Sequence, residues 1–369
     1  MADPLRIGVV GAGNISGEYL ETLSALPNVR PVQVATRDPE RARAVVARFP
    51  GTRATSLPEL YASDEVDLVL DLTTPAAHLE VSRAAIEAGK HLYGEKPLAM
   101  TTGEARSILT AASTAGVRVG CAPDTVLGTG IQTARVCVEK GEIGTPVAAT
   151  AFMTTPGHER WHPDPEFYYR PGGGPLLDMG PYYLTALVLM LGPVRRVTGL
   201  SCAPRRTRTI GSGPRAGTTF PVEVATHVTG VLEHEGGALS TLMLSFDVWQ
   251  STLPRIEVYG TEGTLAVPDP NSFTGDVRVC HAGDREWRTA PVLGGYRGVA
   301  RGIGVADMAH AIATGTPHRA SAELAYHVLD LMESLLAAAE SGGSRRVDSG
   351  FTRPEPVPAD ARPEDLCPG

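Results

Sequence analysis

Lys90, Lys96 and Lys140 are the only lysines in this 369-residue chain, and arginine supplies the rest of its 33 basic side chains. A surface charge can be arginine as readily as lysine, but an ammonium that exchanges protons cannot. Lys96 is the conspicuous one, held in Gly94-Glu95-Lys96-Pro97 directly after an apolar strand candidate. A lysine exposed on a turn is the bland alternative. Asp178 and Tyr182 form a second candidate pair, just behind the run Gly172-Gly173-Gly174-Pro175. Residues four apart share one helical face and can address one ligand. A phenol with a reference pKa of about 10 mainly donates hydrogen bonds near neutral pH, so proton transfer would rest on Lys96, with Asp178 beside it. Packing of the Tyr182 ring in the core is the competing reading.

A third constellation is Ile7-Gly8-Val9-Val10-Gly11-Ala12-Gly13-Asn14-Ile15-Ser16, a glycine turn between the first strand and the first helix. Gly11 permits the tight turn and Gly13 lets a pyrophosphate approach the backbone. Asn14 and Ile15 open a helix whose free N–H groups and dipole favour anions. Ser16 stands where a third glycine is usual, and a small residue still allows close helix–strand packing. In such folds an acidic residue about 20 positions on holds the ribose 2′-OH. Here that position is Thr36, followed by Arg37, a hydroxyl and a guanidinium that suit a 2′-phosphate. NADP is therefore favoured, while Asp38 keeps NAD open. Thr73, Thr74, Pro75 and His78 follow the fourth strand candidate and Glu95 and Lys96 the next, both at the carboxyl edge where open α/β sheets bind ligands.

The elements that must position these groups are legible in the hydrophobic pattern. Between residues 5 and 122, short apolar runs alternate with amphipathic segments, as strand–helix units of a parallel sheet require. From residue 123 the runs lengthen, alternate, and are separated by turn-rich breaks such as Glu235-Gly236-Gly237, which indicates antiparallel pairing. The expected architecture is an α/β Rossmann domain over 1–122, followed by an α+β domain with an open, predominantly antiparallel sheet over 123–350. The Pro- and acid-rich stretch 351–369 reads as a flexible tail. Residues 203–219, rich in Arg, Gly, Pro and Thr, read as a long solvated loop with anion binding as the alternative.

Composition excludes several classes. Cys121, Cys137, Cys202, Cys280 and Cys367 are odd in number and scattered, which argues against a disulfide framework, and no Asp/Glu/His/Cys grouping has metal spacing. A net charge of −8 gives no basic surface for nucleic acid. No stretch of roughly 18 apolar residues suggests a membrane span, and no secretory leader opens the chain, so a cytoplasmic location is expected. The expected partner is a small molecule. His158, Trp161, His162, Phe167, Tyr168 and Tyr169 cluster ahead of the glycine run, and aromatic faces of that kind often stack on sugars. Trp161, Tyr169 and, at the domain junction, Asp124 are substrate-contact candidates alongside Lys96, Asp178 and Tyr182. His310, His318 and His327 read as packing residues of late helices.

Taken in order, the glycine turn, Leu72-Thr73-Thr74-Pro75, Ala88-Gly89-Lys90-His91, Glu95-Lys96-Pro97 and Gly172-Gly173-Gly174-Pro175-Leu176-Leu177-Asp178-Met179-Gly180 resemble the glucose-fructose oxidoreductase / inositol 2-dehydrogenase / rhizopine-catabolism (Gfo/Idh/MocA) family over residues 5–340. The resemblance implies hydride transfer between nicotinamide and a secondary alcohol of a sugar, sugar acid or cyclitol, with Lys96 contacting substrate and cofactor and moving the hydroxyl proton. It also implies a homodimer or homotetramer. The family pattern has histidine four residues after the aspartate, where this chain has Tyr182. Two rival activities come with the resemblance: NAD-dependent glycosidase chemistry and non-catalytic dinucleotide sensing.

Overall fold

The computed structural model describes residues 3–366, so Cys367 lies outside the described residues. Two compact units divide the chain. One comprises the described residues of Met1–Gln132, Gly294–Tyr326 and Pro354–Gly369, the other Thr133–Leu293 and His327–Arg353. The chain thus returns to the first unit twice, which a single boundary at 122 did not anticipate. Nor is the described part of 351–369 a free tail. Val357 is fully buried, its N–H donating to Gln132 Oε1 at 2.9 Å and its carbonyl accepting from Gly295 N at 2.9 Å. A few apolar anchors in a polar, Pro-rich stretch suffice to fix it.

In the first unit six parallel strands, β1 (Leu5–Val10), β2 (Val29–Ala35), β3 (Arg53–Thr55), β4 (Leu68–Asp71), β5 (His91–Gly94) and β6 (Val119–Cys121), form a sheet of order β3-β2-β1-β4-β5-β6. The crossovers carry α1 (Ser16–Ala25), α2 (Pro39–Val46), α3 (Leu57–Ala62), α4 (His78–Glu87) and α5 (Thr102–Ala115). Every residue of β4 is buried, as expected for a strand covered on both faces. The sequence pattern missed α3, yet its start is written locally: Ser56 accepts from Glu59 N while the Glu59 carboxylate accepts from Ser56 N, a reciprocal cap. The strand order reverses direction between β1 and β4, the point at which such sheets open a crevice for ligand.

The second unit takes in α6 (Thr129–Glu139) from Thr133 onward, then β7 (Pro146–Thr154), α7 (Gly174–Leu191), β8 (Val194–Cys202), β9 (Thr207–Thr209), β10 (Thr219–Pro221), β11 (His227–His234), β12 (Leu239–Ser245), β13 (Ile256–Gly260), β14 (Gly263–Val267), β15 (Arg278–His281) and β16 (Arg288–Thr289). Later in the chain come α8 (Ile303–Thr314) of the first unit, α9 (Ala322–Ser341) and β17 (Ser344–Arg346). Nine strands pair in the order β16-β15-β14-β13-β7-β12-β11-β8-β17, all antiparallel except β7 with β12. β9 and β10 make a separate antiparallel pair, so the stretch expected to be a loop is a hairpin. Helix α7 covers β7, β11 and β12. It is long and apolar enough to cross a membrane by composition, with mean hydropathy 1.2, contrary to the expectation that no such stretch exists. Its apolar window is 83% buried in the protein, which makes it a core helix.

Candidate active site

In the first unit the glycine turn follows β1 as the sequence required. Gly11 has φ +107°, a region that strains any L side chain, and a Cβ there would lie 2.8 Å from the Leu72 carbonyl at the end of β4. Gly13 faces open space. Helix α1 begins after Ile15 with no side chain capping it; Ser16 N donates to Gly13 O at 3.1 Å. Ser16 turns back instead, its hydroxyl donating to Gly13 O at 2.7 Å. At the end of β2, Thr36 is half-buried and Arg37 exposed. The Asp38 carboxylate is engaged elsewhere: Oδ1 caps α2 by accepting from Glu40 N at 3.1 Å, and Oδ2 lies 3.4 Å from Arg41.

The two loops that follow β4 and β5 are braced from below. Asp71, at the end of β4, accepts from Thr73 N at 2.9 Å and Thr73 Oγ1 at 2.6 Å. Its burial pushes the carboxyl above its ordinary range, opposed by His78 and by Thr73. His78 is buried, with Nδ1 2.7 Å from Pro97 O and Nε2 3.2 Å from Thr73 O. It ties the Thr73–Pro75 turn to the Glu95–Pro97 turn, which corrects its expected place among the cofactor contacts. Glu95 likewise holds its own loop. Its Oε1 accepts from Tyr19 at 2.8 Å and its Oε2 from Lys96 N at 3.1 Å, leaving half-buried Lys96 carried on a fixed backbone. The Lys96–Pro97 peptide is cis.

Asp124 is not available to substrate. It is 0% exposed, and Oδ2 accepts from Gly302 N at 2.7 Å and Gly304 N at 3.1 Å, capping α8. Burial lifts its carboxyl from 3.8 to about 6 against those two hydrogen bonds. A side chain without surface has nothing to offer a ligand.

In the second unit, Asp178 lies on the second turn of α7, with Tyr182 one turn further on. Tyr182 is 4% exposed, so its ring is largely in the core. The helix starts where it does because Gly174 takes φ +88° with Ala225 O 2.9 Å from where a Cβ would be. The partner of Asp178 comes from the preceding turn: His158 Nε2 is 3.0 Å from Asp178 Oδ2. The His158 ring is packed by Phe246, Tyr168 and Trp161, with centroids at 4.4, 4.6 and 5.4 Å. Trp161 is exposed and remains available for contact, whereas Tyr169 is fully buried. Its hydroxyl accepts from His158 N at 3.2 Å and donates to Glu159, so it supports the turn instead of meeting substrate. Sequence reading placed His158 among stacking aromatics. The signal that could have given it chemistry was a histidine ahead of an aspartate whose usual partner position holds tyrosine.

Comparison with known proteins decides the family. The profile of the oxidoreductase family with an NAD-binding Rossmann fold matches residues 5–122, and that of the GFO/IDH/MocA C-terminal domain matches residues 131–266. The chain belongs to the Gfo/Idh/MocA family. Among relatives of this Gfo/Idh/MocA protein, 1,5-anhydro-D-fructose reductase of Ensifer adhaerens is 30% identical over 267 residues, 70% of this chain and 74% of that protein. A dTDP-3,4-didehydro-2,6-dideoxy-alpha-D-glucose 3-reductase of Actinomadura kijaniata is 29% identical over 236 residues, 63% of this chain and 70% of that protein. Among solved structures, an NAD-binding oxidoreductase from Klebsiella pneumoniae superposes with TM-score 0.81 at 24% identity, covering 93% of this chain and 99% of that one. Levoglucosan dehydrogenase with NADH and L-sorbose superposes with TM-score 0.80 at 21% identity, covering 94% and 99%. At such identities the structural likeness speaks for the fold alone. This Gfo/Idh/MocA chain is an oxidoreductase with an NAD-binding Rossmann fold.

Proposed function

We propose that the enzyme interconverts a secondary alcohol and a ketone on a sugar, sugar acid or cyclitol, with NADP favoured over NAD. The observation that carries this reading is the His158–Asp178 pair: the α7 face that lacks an imidazole at position 182 gains one from the turn before it. The reductases and dehydrogenases of sugars among its relatives point to the same substrate class.

When bound, the nicotinamide dinucleotide would supply the two-electron oxidant or reductant. Gly11, Gly13 and the N–H groups opened by Asn14 and Ile15 hold its pyrophosphate, and Thr73, Thr74 and Pro75 border it. Thr36 and Arg37 take the ribose 2′ position. Because Asp38 already caps α2, a guanidinium and a hydroxyl are what that corner offers, which favours a 2′-phosphate. Lys96 Nζ exchanges the proton of the reacting hydroxyl. Asp178, oriented by His158, accepts from a neighbouring hydroxyl, and His158 provides the imidazole that can relay a proton through it. Tyr182 backs this face of the helix, and exposed Trp161 offers an apolar surface to a sugar ring.

A homodimer or homotetramer in the cytoplasm completes the proposal. In support, β8, β11 and β12 turn exposed Leu200, Val231 and Leu239 outward. A panel of polyols, aldoses and sugar acids, run with both cofactors and followed at the nicotinamide absorbance band, tests the reading. Net conversion of cofactor in step with sugar product supports it. Glycosidic cleavage without net cofactor conversion, or no turnover of any member, overturns it.

A further inference from the structure

The hairpin of β9 and β10 was the sequence feature with no assigned task, and it encloses a hollow against the His158–Arg160 turn. The cavity is about 420 Å³, lined by Glu159, Arg160, Arg205, Arg208 and neighbouring residues of β9 and the turn after it. Arg208 is buried, its side chain 1% exposed, and pairs with Glu159 Oε1 at 2.9 Å and Asp247 Oδ1 at 2.6 Å. One guanidinium between two carboxylates leaves a negative balance, and Arg205, 3.9 Å from Asp247, offsets it. Arg160 is then surplus. Its guanidinium lies over the Trp249 ring, 4.7 Å from the centroid, with Arg205 at 5.8 Å from the same ring. Trp249 is 60% exposed, an unusual position for an indole with cations beside it. Arg208 also donates to the Pro156 and Phe246 carbonyls at 3.3 and 3.1 Å, so it fixes the wall of the hollow while exposed Arg160 and Arg205 face its contents.

We infer that this hollow is an anion-binding subsite, with Arg160 and Arg205 at its rim and Arg208 in its wall. It takes a carboxylate or phosphate borne by the substrate, and Trp249 lies against the ring that carries it. Guanidinium groups recognise both anions through paired N–H donors; a net surplus of one positive charge matches one carboxylate and offsets about half the charge of a phosphate monoester near neutral pH. The inference rests on the proposed sugar oxidoreductase activity. His158, the partner of Asp178, directly precedes Glu159 and Arg160, so the same short turn would carry both the imidazole and the anion contact. The substrate class narrows accordingly to acidic or phosphorylated sugars.

The test pairs kinetics with binding on the full chain. Glucose, glucuronate and glucose 6-phosphate are compared as substrates with each cofactor. The same three, with inorganic phosphate, are titrated calorimetrically into wild type, Arg160→Ala and Arg205→Ala. The expected result is a kcat/KM at least tenfold higher for one or both anionic sugars than for glucose, and a fall of that ratio by about tenfold in Arg160→Ala, mostly through KM. A preference for glucuronate assigns a carboxylate, and one for glucose 6-phosphate a phosphate. If no sugar turns over, saturable binding of an anionic probe that weakens about tenfold in Arg160→Ala sustains the subsite while removing the sugar oxidoreductase reading. No preference for anionic sugars, a ratio unchanged in both variants, or no saturable anion binding overturns the subsite.

Discussion

His158 Nε2 stands 3.0 Å from Asp178 Oδ2, joining a turn and a helix twenty residues apart in sequence. A carboxylate acceptor draws a proton to Nε2 and fixes how the ring is presented. If this pair replaces the family's aspartate and histidine on one helix, His158→Phe and Asp178→Asn should each lower kcat by about 10²-fold. The double variant should lose little more than either single, because the two groups act as one. Steady-state kinetics on the three variants checks both expectations, and full turnover in His158→Phe would reduce His158 to a packing residue.

Gly11→Ala tests the cofactor turn. A methyl group at φ +107° costs about 1–2 kcal/mol, and contact with the Leu72 carbonyl adds to it. Dinucleotide affinity should fall at least tenfold and Tm by several degrees. Titration fluorescence and calorimetric unfolding measure both.

Cofactor preference should be movable at one corner. Thr36→Asp combined with Arg37→Ala gives a carboxylate to the ribose 2′-OH and removes the guanidinium. The ratio of kcat/KM for NADP to that for NAD should drop at least tenfold. No change in that ratio would place the 2′ position elsewhere.

Two buried groups give opposite pH dependences of stability. The Asp124 carboxyl is raised from 3.8 to about 6, so the folded chain binds the extra proton, and the resulting stability is present below 3.8 and lost as pH rises to about 6. His327 is lowered from 6.5 to about 4 by burial, its Nε2 accepting from Val194 N at 3.1 Å while Nδ1 faces Ser349 Oγ at 2.9 Å. Stability there is present above 6.5 and lost as pH falls toward 4. Each effect is on the order of 3 kcal/mol. Thermal unfolding against pH should show Asp124→Asn gaining on wild type as pH rises through the first interval. His327→Gln should gain as pH falls through the second.

What could be read from the sequence was whatever depends on local pattern. The glycine turn and the alternation of strand and helix over residues 5–122 follow from spacing and periodicity, because backbone conformation and amphipathicity are properties of neighbouring residues. Partners across space were not readable. That Asp124 caps a helix 178 residues away, that Tyr169 supports Glu159, and that Val357 docks beside Gln132 are tertiary facts with no periodic trace. The hairpin was hidden for a related reason. Residues 203–219 look hydrophilic because the cation they bury, Arg208, is neutralised by acids contributed from elsewhere in the chain. Asp178 was identified with Tyr182 as its neighbour on α7, but its imidazole partner could be assigned only once the His158 turn was placed against the helix.

The central claim is tested most directly by Lys96→Met, assayed for dinucleotide binding and for turnover in one preparation. The account predicts a dinucleotide Kd within about threefold of wild type, since backbone groups carry the pyrophosphate, and a kcat lowered by about 10²-fold or more. Undiminished turnover with intact binding would remove the ammonium from the chemistry and contradict the account.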